Sequence, residues 1–474
     1  MIDTRGVRAL LLAAALIGAL PALAQRPYGE REQPRRDTTV SRDTARAVRD
    51  TARDTTTAAG RWRVKRAELD LPFTTFGFGV GFLMDFATYG QDADSHEQFD
   101  LVSMGKIRDS RLLVNGRLKT KRKIDWSAGF FYDFYANKWR IRQTGFVVAV
   151  PEIHSNFWIG RTKEGPSLNR VMTGYDGWTM ERFTFSDAAI PLLADGVRWQ
   201  GYVPKAHVFW NIGGYFDRLT EGESFSYFNN QVAGRLGYAK FDSDTAGRLV
   251  HLGLNFQVGS PNEGALQLKS KPESFSGPNF VDTGKIPSMS AVLGGVEAYY
   301  RTGSWLFGTE YYAEEVKRSA VAGAGGDGAG GDGADIRADL RRGMRAAMRA
   351  MPAAQRADSL SNPVFHGGDV AVIWNITGET RRYIALGSTF DAVSPRRSFF
   401  SGGPGAVEAV LGLSYIDLDD AGITGGTFWR LTPMLNWHLS DGVRLELAYG
   451  YGVLDRFGVR GGTHFYQARL QTWF

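Results

Sequence analysis

Arginine and lysine are the residues best suited to chemistry in this sequence, because it contains no cysteine and only seven scattered histidines. Without cysteine there can be no thiol nucleophile, cysteine-ligated zinc or iron–sulfur cluster. The histidines form no spaced motif with serine or acidic residues, so we expect no enzyme, no metal site and no cofactor. A guanidinium offers paired donors that match phosphate and keep their charge, which favours reversible anion binding.

The net charge of +6 is concentrated near the N-terminus. Residues 26–66 carry twelve Lys or Arg against six Asp or Glu, so residues 67–474 sum to about −1. The body of the protein is therefore almost neutral, and the charge gives no reason to expect a nucleic-acid partner.

The elements that must position these basic residues have a hydrophobic period of two. Phe76, Phe78, Val80 and Phe82 alternate with glycines, and further segments repeat the pattern with 10–14 residues each. Such segments are longer than typical strands, and their aromatic residues cluster at the ends, as in the girdles of outer-membrane barrels. We therefore predict an all-β transmembrane antiparallel barrel rather than a soluble sandwich. Its lipid-facing side includes Phe76, Phe78, Phe82, Trp126, Trp210, Leu445 and Leu447.

Both ends of the sequence indicate export to the outer membrane. Residues 1–24 have a basic start, a twelve-residue apolar core and a small-x-small site, which predicts a signal peptide. Residues 25–66 are low in large apolar residues and predict a disordered, basic periplasmic linker. The last strand ends in Phe474, which resembles the signal read by the barrel-assembly machinery.

The barrel itself is predicted over residues 67–474. At about 25 residues per strand and connection this gives about 16 strands, and 18 remain open because residues 380–405 are ambiguous. An even count places both termini in the periplasm. The loop insertion at 319–363 is rich in Gly, Asp and Arg and predicts an Arg-rich helix over 335–351. Three interpretations stay open: a solvated insertion, a lid, or a contact with lipopolysaccharide phosphates.

Several stretches resemble the phosphate-selective porin O/P family. Residues 159–169 read IGRTKEGPSLN and are followed by Met180-Glu181-Arg182, similar to the family's G-x-x-K-E-P-F-x-L-E and M-E-R segments. Residues 249–255 (LVHLGLN), 374–379 (WNITGE) and 405–417 (GAVEAVLGLSYID) agree in the same order. One departure is Gly165-Pro166 in place of P-F. The resemblance implies a homotrimer in outer-membrane lipids whose third outer loop folds into the lumen.

The predicted pore residues follow from strand parity and from this loop. They are expected to form a positive constriction for small anions, phosphate or polyphosphate among them; the alternatives are a general or cation-preferring diffusion porin, or a structural or adhesive barrel. The candidate anion-binding residues are Arg111, Arg140, Arg142 and Arg198 on strands, and Arg161, Lys163, Arg170 and Arg182 at or in the loop.

Overall fold

A computed structural model describes residues 69–134, 137–217, 225–319 and 361–474. The predicted signal peptide at 1–24, the linker at 25–66 and the predicted helix over 335–351 lie outside the described residues, as does nearly all of the insertion at 319–363.

Within the described residues, sixteen antiparallel strands form a closed wall in which each strand pairs with the next along the chain. The first and last strands close the ring, from the pair Gly81 and Trp473 to the pair Gln91 and Thr463. This confirms the predicted barrel. The strands are β1 (Thr75–Gln91), β2 (Met104–Leu118), β3 (Ile124–Asp133), β4 (Lys138–Val150), β5 (Ser155–Thr162), β6 (Ala194–Val203), β7 (Val208–Phe216), β8 (Phe228–Phe241), β9 (Arg248–Pro261), β10 (Ile286–Thr302), β11 (Trp305–Arg318), β12 (Val364–Asn375), β13 (Ala406–Asp420), β14 (Ile423–His438), β15 (Val443–Arg456) and β16 (Val459–Trp473).

Strand β9 illustrates why these sequences form a barrel wall. Leu252 and Leu254 on its outer face are 50% and 63% exposed, whereas the flanking residues His251 and Asn255 are buried inside. An outer face of this kind is stable only in lipid, and closure leaves no unpaired strand edge there. The same alternation places the predicted lipid-facing residues on the outside, where Phe78 and Leu447 are among the exposed side chains.

The connections gather at two ends of the barrel, which we call the turn end and the loop end. The turn end carries the short connections 119–123, 151–154, 204–207 and 439–442. Residues 163–193 lie at the loop end, where they form the third connection along the chain. β1 begins and β16 finishes at the turn end, so the two described chain ends lie on the same side of the barrel.

The described α-helices are short and belong to the loop end, whereas the single-turn 3-10 helices Pro151–Ile153 and Phe399–Ser401 lie at the turn end. Helix α1 (Ala93–Gln98) is capped by Asp92, whose side chain accepts a hydrogen bond from the backbone N–H of Ser95. Helices α2 (Leu168–Val171) and α3 (Thr184–Ala189) lie in the third connection. A search of the described residues for an apolar helix of membrane-spanning length finds none.

Three connections of the described chain turn into the lumen. Residues 163–193, here the inserted loop, and the 262–285 loop enter from the loop end, and residues 376–405, here the turn-end segment, enter from the turn end. The turn-end segment covers the stretch whose strand count was ambiguous. Its Tyr383–Ile384 and Thr389–Phe390 pair only with each other, so it adds no strand to the described wall.

Two apolar clusters fill part of the lumen between these segments and the wall. The cluster near the loop end includes Phe185 and Phe280, and the cluster near the turn end includes Trp178, Tyr383 and Phe390. The barrel therefore encloses a packed core like that of a soluble protein, beside the space left for solutes.

Candidate pore constriction

The inserted loop crosses the lumen from one side of the wall to the other. The backbone N–H of Leu168 donates to Glu297 on β10 (2.9 Å), Arg444 on β15 donates to the carbonyl of Gly177 (2.7 Å), and Gln471 on β16 donates to the carbonyl of Tyr175 (3.0 Å). These contacts confirm the prediction that the third outer loop folds into the lumen.

The start of the inserted loop lies flat against strands β7 and β8. A Cβ on Gly165 would come within 2.6 Å of the carbonyl oxygen of Asn211 and of Cα of Gly234. A side chain there would therefore push the loop away from the wall. This close approach accounts for the glycine at position 165, where the porin O/P family that the sequence resembles has proline.

Carboxylates on β10 and β11 hold the first turn of the loop. Glu310 accepts hydrogen bonds from the hydroxyl of Ser167 and from the backbone N–H of Asn169 (2.9 Å), and Glu297 accepts from Leu168. The N–H groups at the start of α2 have no partner within the helix, so the two glutamates satisfy them. The loop is thereby fastened to the wall on this side.

On the side of the lumen formed by β2 and β4, opposite β10 and β11, side chains stay in contact with water. Arg108 and Arg111 on β2, and Arg140 and Arg142 on β4, are 15–30% exposed. In contrast, Arg235 and Glu310 on the other side are buried. The aperture therefore lies off centre, against β2 and β4, and we call these four side chains the arginine strip.

Each guanidinium of the arginine strip lies over an aromatic ring. The distances to the ring centroids are 4.2 Å for Arg108 over Phe275, 4.5 Å for Arg111 over Tyr175, 5.4 Å for Arg140 over Phe225 and 5.6 Å for Arg142 over Phe131. Stacking fixes the plane of a guanidinium and leaves its N–H edge available for hydrogen bonding.

Three acidic side chains lie beside the arginine strip. Asp109 pairs with Arg111 and with Arg142 (3.4 Å), Asp133 with Arg140 (3.3 Å), and Glu181 of the inserted loop with Arg108 (3.0 Å). Burial alone would raise the pKa of Glu181. The positive charges of Arg108 and Arg469 outweigh the effect of burial and lower this pKa to about 2. Four cations thus face three anions, and the cations are the more exposed.

Arg161 and Arg198 lie at the base of the inserted loop. Arg161 pairs with Asp195 across β5 and β6 (3.0 Å), and both side chains are buried. Arg198 is also buried and donates to the carbonyl of Lys163 (3.3 Å). Both side chains therefore join the loop to its flanking strands.

The candidate anion-binding residues inside the inserted loop form contacts within the loop. The Lys163 ammonium donates to the carbonyls of Arg170 (3.1 Å) and Met172. Burial, followed by the charge of Arg182, lowers the pKa of Lys163 well below its usual range. Arg170 pairs with Asp187 (3.4 Å), and Arg182 donates to Asn169 (2.9 Å) and to the carbonyl of Met172 (2.6 Å).

The structure therefore brings Arg111, Arg140 and Arg142 together at the aperture. The other candidate anion-binding residues instead hold the inserted loop in place. Arg108 was missed because a β-bulge in β2 interrupts the alternation of faces, with Leu83 opposite Asp109 and Met84 opposite Ile107. Within the described residues, no group of three or more histidine or acidic side chains is placed to hold a metal ion.

Comparisons with known proteins give one match over most of the chain. A model of the family described as phosphate-selective porin O and P matches residues 76–471. An uncharacterized protein of Caulobacter vibrioides is 32% identical over 113 residues, which are 23% of this chain. The match spans only 22% of the length of that relative.

Similar solved structures include three outer-membrane channels. An anion-selective porin from Comamonas acidovorans has 12% identity and a TM-score of 0.47, over 85% of this chain and 100% of that chain. The channel DcaP of Acinetobacter baumannii has 10% identity and a TM-score of 0.48, over 86% and 100%. OmpT of Vibrio cholerae has 10% identity and a TM-score of 0.46, over 86% and 100%.

Proposed function

This chain belongs to the phosphate-selective porin O and P family and is an outer-membrane porin, and we propose that the solutes it admits are small anions, phosphate or polyphosphate among them. The observation that carries the proposal is the arginine strip, in which four partly exposed guanidinium groups line one side of the aperture. It works as a channel and not as an enzyme, since passive diffusion requires no catalytic group.

The arginine strip favours anions because the narrow aperture concentrates its positive electrostatic potential. A narrow aperture with low-dielectric walls strengthens the potential of each exposed charge, so a small excess of arginine outweighs a nearly neutral total. A phosphate that enters loses part of its hydration shell, and the N–H groups of Arg111 and Arg142 replace the lost water. Release requires weak binding, with an affinity between about 1 mM and 1 μM.

The test is a reversal-potential measurement in planar bilayers under a KCl gradient, followed by titration of phosphate to block the chloride current. An anion porin gives a potential on the chloride side of zero, and phosphate reduces the current. A general pore gives a potential near zero, a cation-preferring pore gives the opposite sign, and a structural or adhesive barrel gives no channels. Lys121→Gln, an exposed change at the turn end, serves as the matched control.

The assembly proposed for this porin is a homotrimer in the outer membrane, with both termini periplasmic. Wall height supports an interface around β5, because eight tilted residues rise only about 20 Å against an apolar band of about 25 Å. A neighbouring copy would cover that short wall, and lipid or lipopolysaccharide would cover the rest. Crosslinking in mild detergent tests this assembly, and a product no larger than one chain argues against it.

The barrel-assembly machinery is the partner proposed for insertion, with Phe474 as its signal. In the folded barrel, Phe474 exchanges two backbone hydrogen bonds with Val80 on β1 (2.8 and 3.0 Å). Phe474→Ala should therefore reduce the amount of porin inserted in cells more than it reduces the stability of porin that is already folded. An equal loss in both measurements would contradict a signalling role.

A further inference from the structure

The turn-end segment contains a buried arginine that joins three separate parts of the chain. Arg381 donates from Nε and Nη2 to the two carboxylate oxygens of Glu408 on β13, at 2.7 Å each. Its Nη1 donates to the carbonyl of Asp176 in the inserted loop and to the carbonyl of Asp391 in its own segment, at 2.9 Å each. One guanidinium thus holds the wall, the inserted loop and the turn-end segment together.

Side chains around Arg381 strengthen the same connection. Its guanidinium lies 5.5 Å from the ring centroid of Trp178 in the inserted loop, and that ring packs edge-on against Phe390 of the turn-end segment. Asn436 on β14 donates both to the carbonyl of Trp178 (2.8 Å) and to Glu408 (3.0 Å). The stretch from Asp176 to Trp178 is therefore held from two directions.

This contact lies one residue from the aperture. Tyr175 precedes Asp176 and is the ring over which Arg111 stacks. We propose that Arg381 is a positioning residue for the pore, which fixes Tyr175 opposite the arginine strip and so sets the width of the aperture without itself lining it. The inference rests on the proposed function, because it concerns the same constriction.

The chemistry of the contact explains why arginine occupies this position. Replacing a buried ion pair by apolar groups is often neutral for stability, so stability alone does not require the pair formed by Arg381 and Glu408. Planar bidentate geometry, however, fixes the direction of the remaining N–H groups toward Asp176 and Asp391. A lysine has a single point charge and cannot make all of these contacts at once.

Two variants of the full chain separate positioning from folding. Arg381→Lys keeps the charge, and the double variant Arg381→Met with Glu408→Gln removes both charges, so that no buried ion is left unpaired. Tyr202→Phe is the matched control, because Tyr202 on β6 is also buried but its hydroxyl donates to the carbonyl of Ala239 within the wall (3.0 Å), near the turn end and away from the aperture. Heat-dependent mobility on gels identifies the folded barrels.

Single-channel recording gives the first measurement. We expect one steady conductance in the wild type, and added current noise with several conductance levels in both Arg381 variants. The sign of the reversal potential should stay unchanged, because the arginine strip is intact. Steady wild-type conductance in both variants would overturn the proposal, as would the same noise in Tyr202→Phe.

Trypsin digestion of the folded protein gives a second measurement that needs no current. Lys163, Arg170 and Arg182 are cleavage sites within the inserted loop; the first two are buried in the folded barrel and Arg182 is half-buried. Cleavage there should become at least about tenfold faster in the Arg381 variants, given the strength of hydrogen bonds to charged groups, and should stay slow in Tyr202→Phe. Unchanged cleavage would overturn the positioning role, whereas cation selectivity of the wild type would refute only the proposed function.

Discussion

Substituting Arg142 by glutamine and Asp109 by asparagine should shift the ion selectivity of the pore in opposite directions. Arg142 is a member of the arginine strip, and Asp109 is the carboxylate that it shares with Arg111. Arg142→Gln removes one positive charge from the aperture. Asp109→Asn removes the negative charge that neutralises two arginines, and Asp109 itself is almost fully covered.

The magnitude follows from Coulomb's law at the distance of closest approach. An ion about 4 Å from a guanidinium has an interaction energy of about 1 kcal/mol even at the dielectric constant of water. The same charge repels potassium by as much as it attracts chloride, so the ratio of their permeabilities changes by about 2 kcal/mol, or about 30-fold. Expressed as a potential this is at most about 90 mV, and higher salt reduces the effect.

The assay is the reversal potential of each variant in a KCl gradient at low ionic strength. Arg142→Gln should move the potential toward the potassium side and Asp109→Asn toward the chloride side, while Lys121→Gln leaves it unchanged. Shifts of the same sign in both variants, or no shift in either, would refute the reasoning that these charges face the permeating ion.

Three further changes test other parts of the structure. Gly165→Ala should lower the free energy of unfolding by about 1–3 kcal/mol through overpacking against β7 and β8, and Gly214→Ala, where a Cβ meets open space, should not; equal effects would contradict the close approach. Burial raises the pKa of Glu164 to about 8, so the folded protein keeps a proton that the unfolded chain loses above about pH 4.5. Stability should therefore fall as pH rises from about 4.5 to 8, and Glu164→Gln should flatten this part of the thermal-midpoint profile. Leu447→Arg, on the outer face of β15, should cost about 2–4 kcal/mol if the residue faces the bilayer midplane, and refolding into lipid at unchanged stability would argue against that orientation.

The barrel could be predicted from sequence because its signal is repeated along every strand. In β9 the polar residues His251, Asn255 and Gln257 alternate with Leu252 and Leu254, and lipid on one side requires that pattern at each step. The inserted loop was located because residues 159–169 and Met180-Glu181-Arg182 resemble segments of the porin O/P family, in which the third outer loop folds into the lumen. These features are local, so a single sequence contains them.

The partners of the charged residues could not be predicted, because they depend on contacts between distant segments. Arg161 and Lys163 have the residue types of an anion site, yet Asp195 and the carbonyl of Arg170 occupy them. The turn-end segment was ambiguous because Tyr383 and Phe390 resemble strand residues, whereas their burial depends on the inserted loop reaching the same place. Only the folded barrel brings these groups together.

The contacts of Glu181 have a consequence for how the barrel closes. Closure joins β1 and β16, the two strands of the wall that are furthest apart in sequence, and Asp85 on β1 pairs with Arg469 on β16 across that seam (2.6 Å). Glu181 binds Arg469 and also Arg108 on β2, so the loop spans the seam from inside. The inserted loop thus stabilises the pairing of β1 with β16, which otherwise forms late and at high entropic cost because the two strands are far apart in sequence. We expect the loop to enter the lumen before these two strands pair.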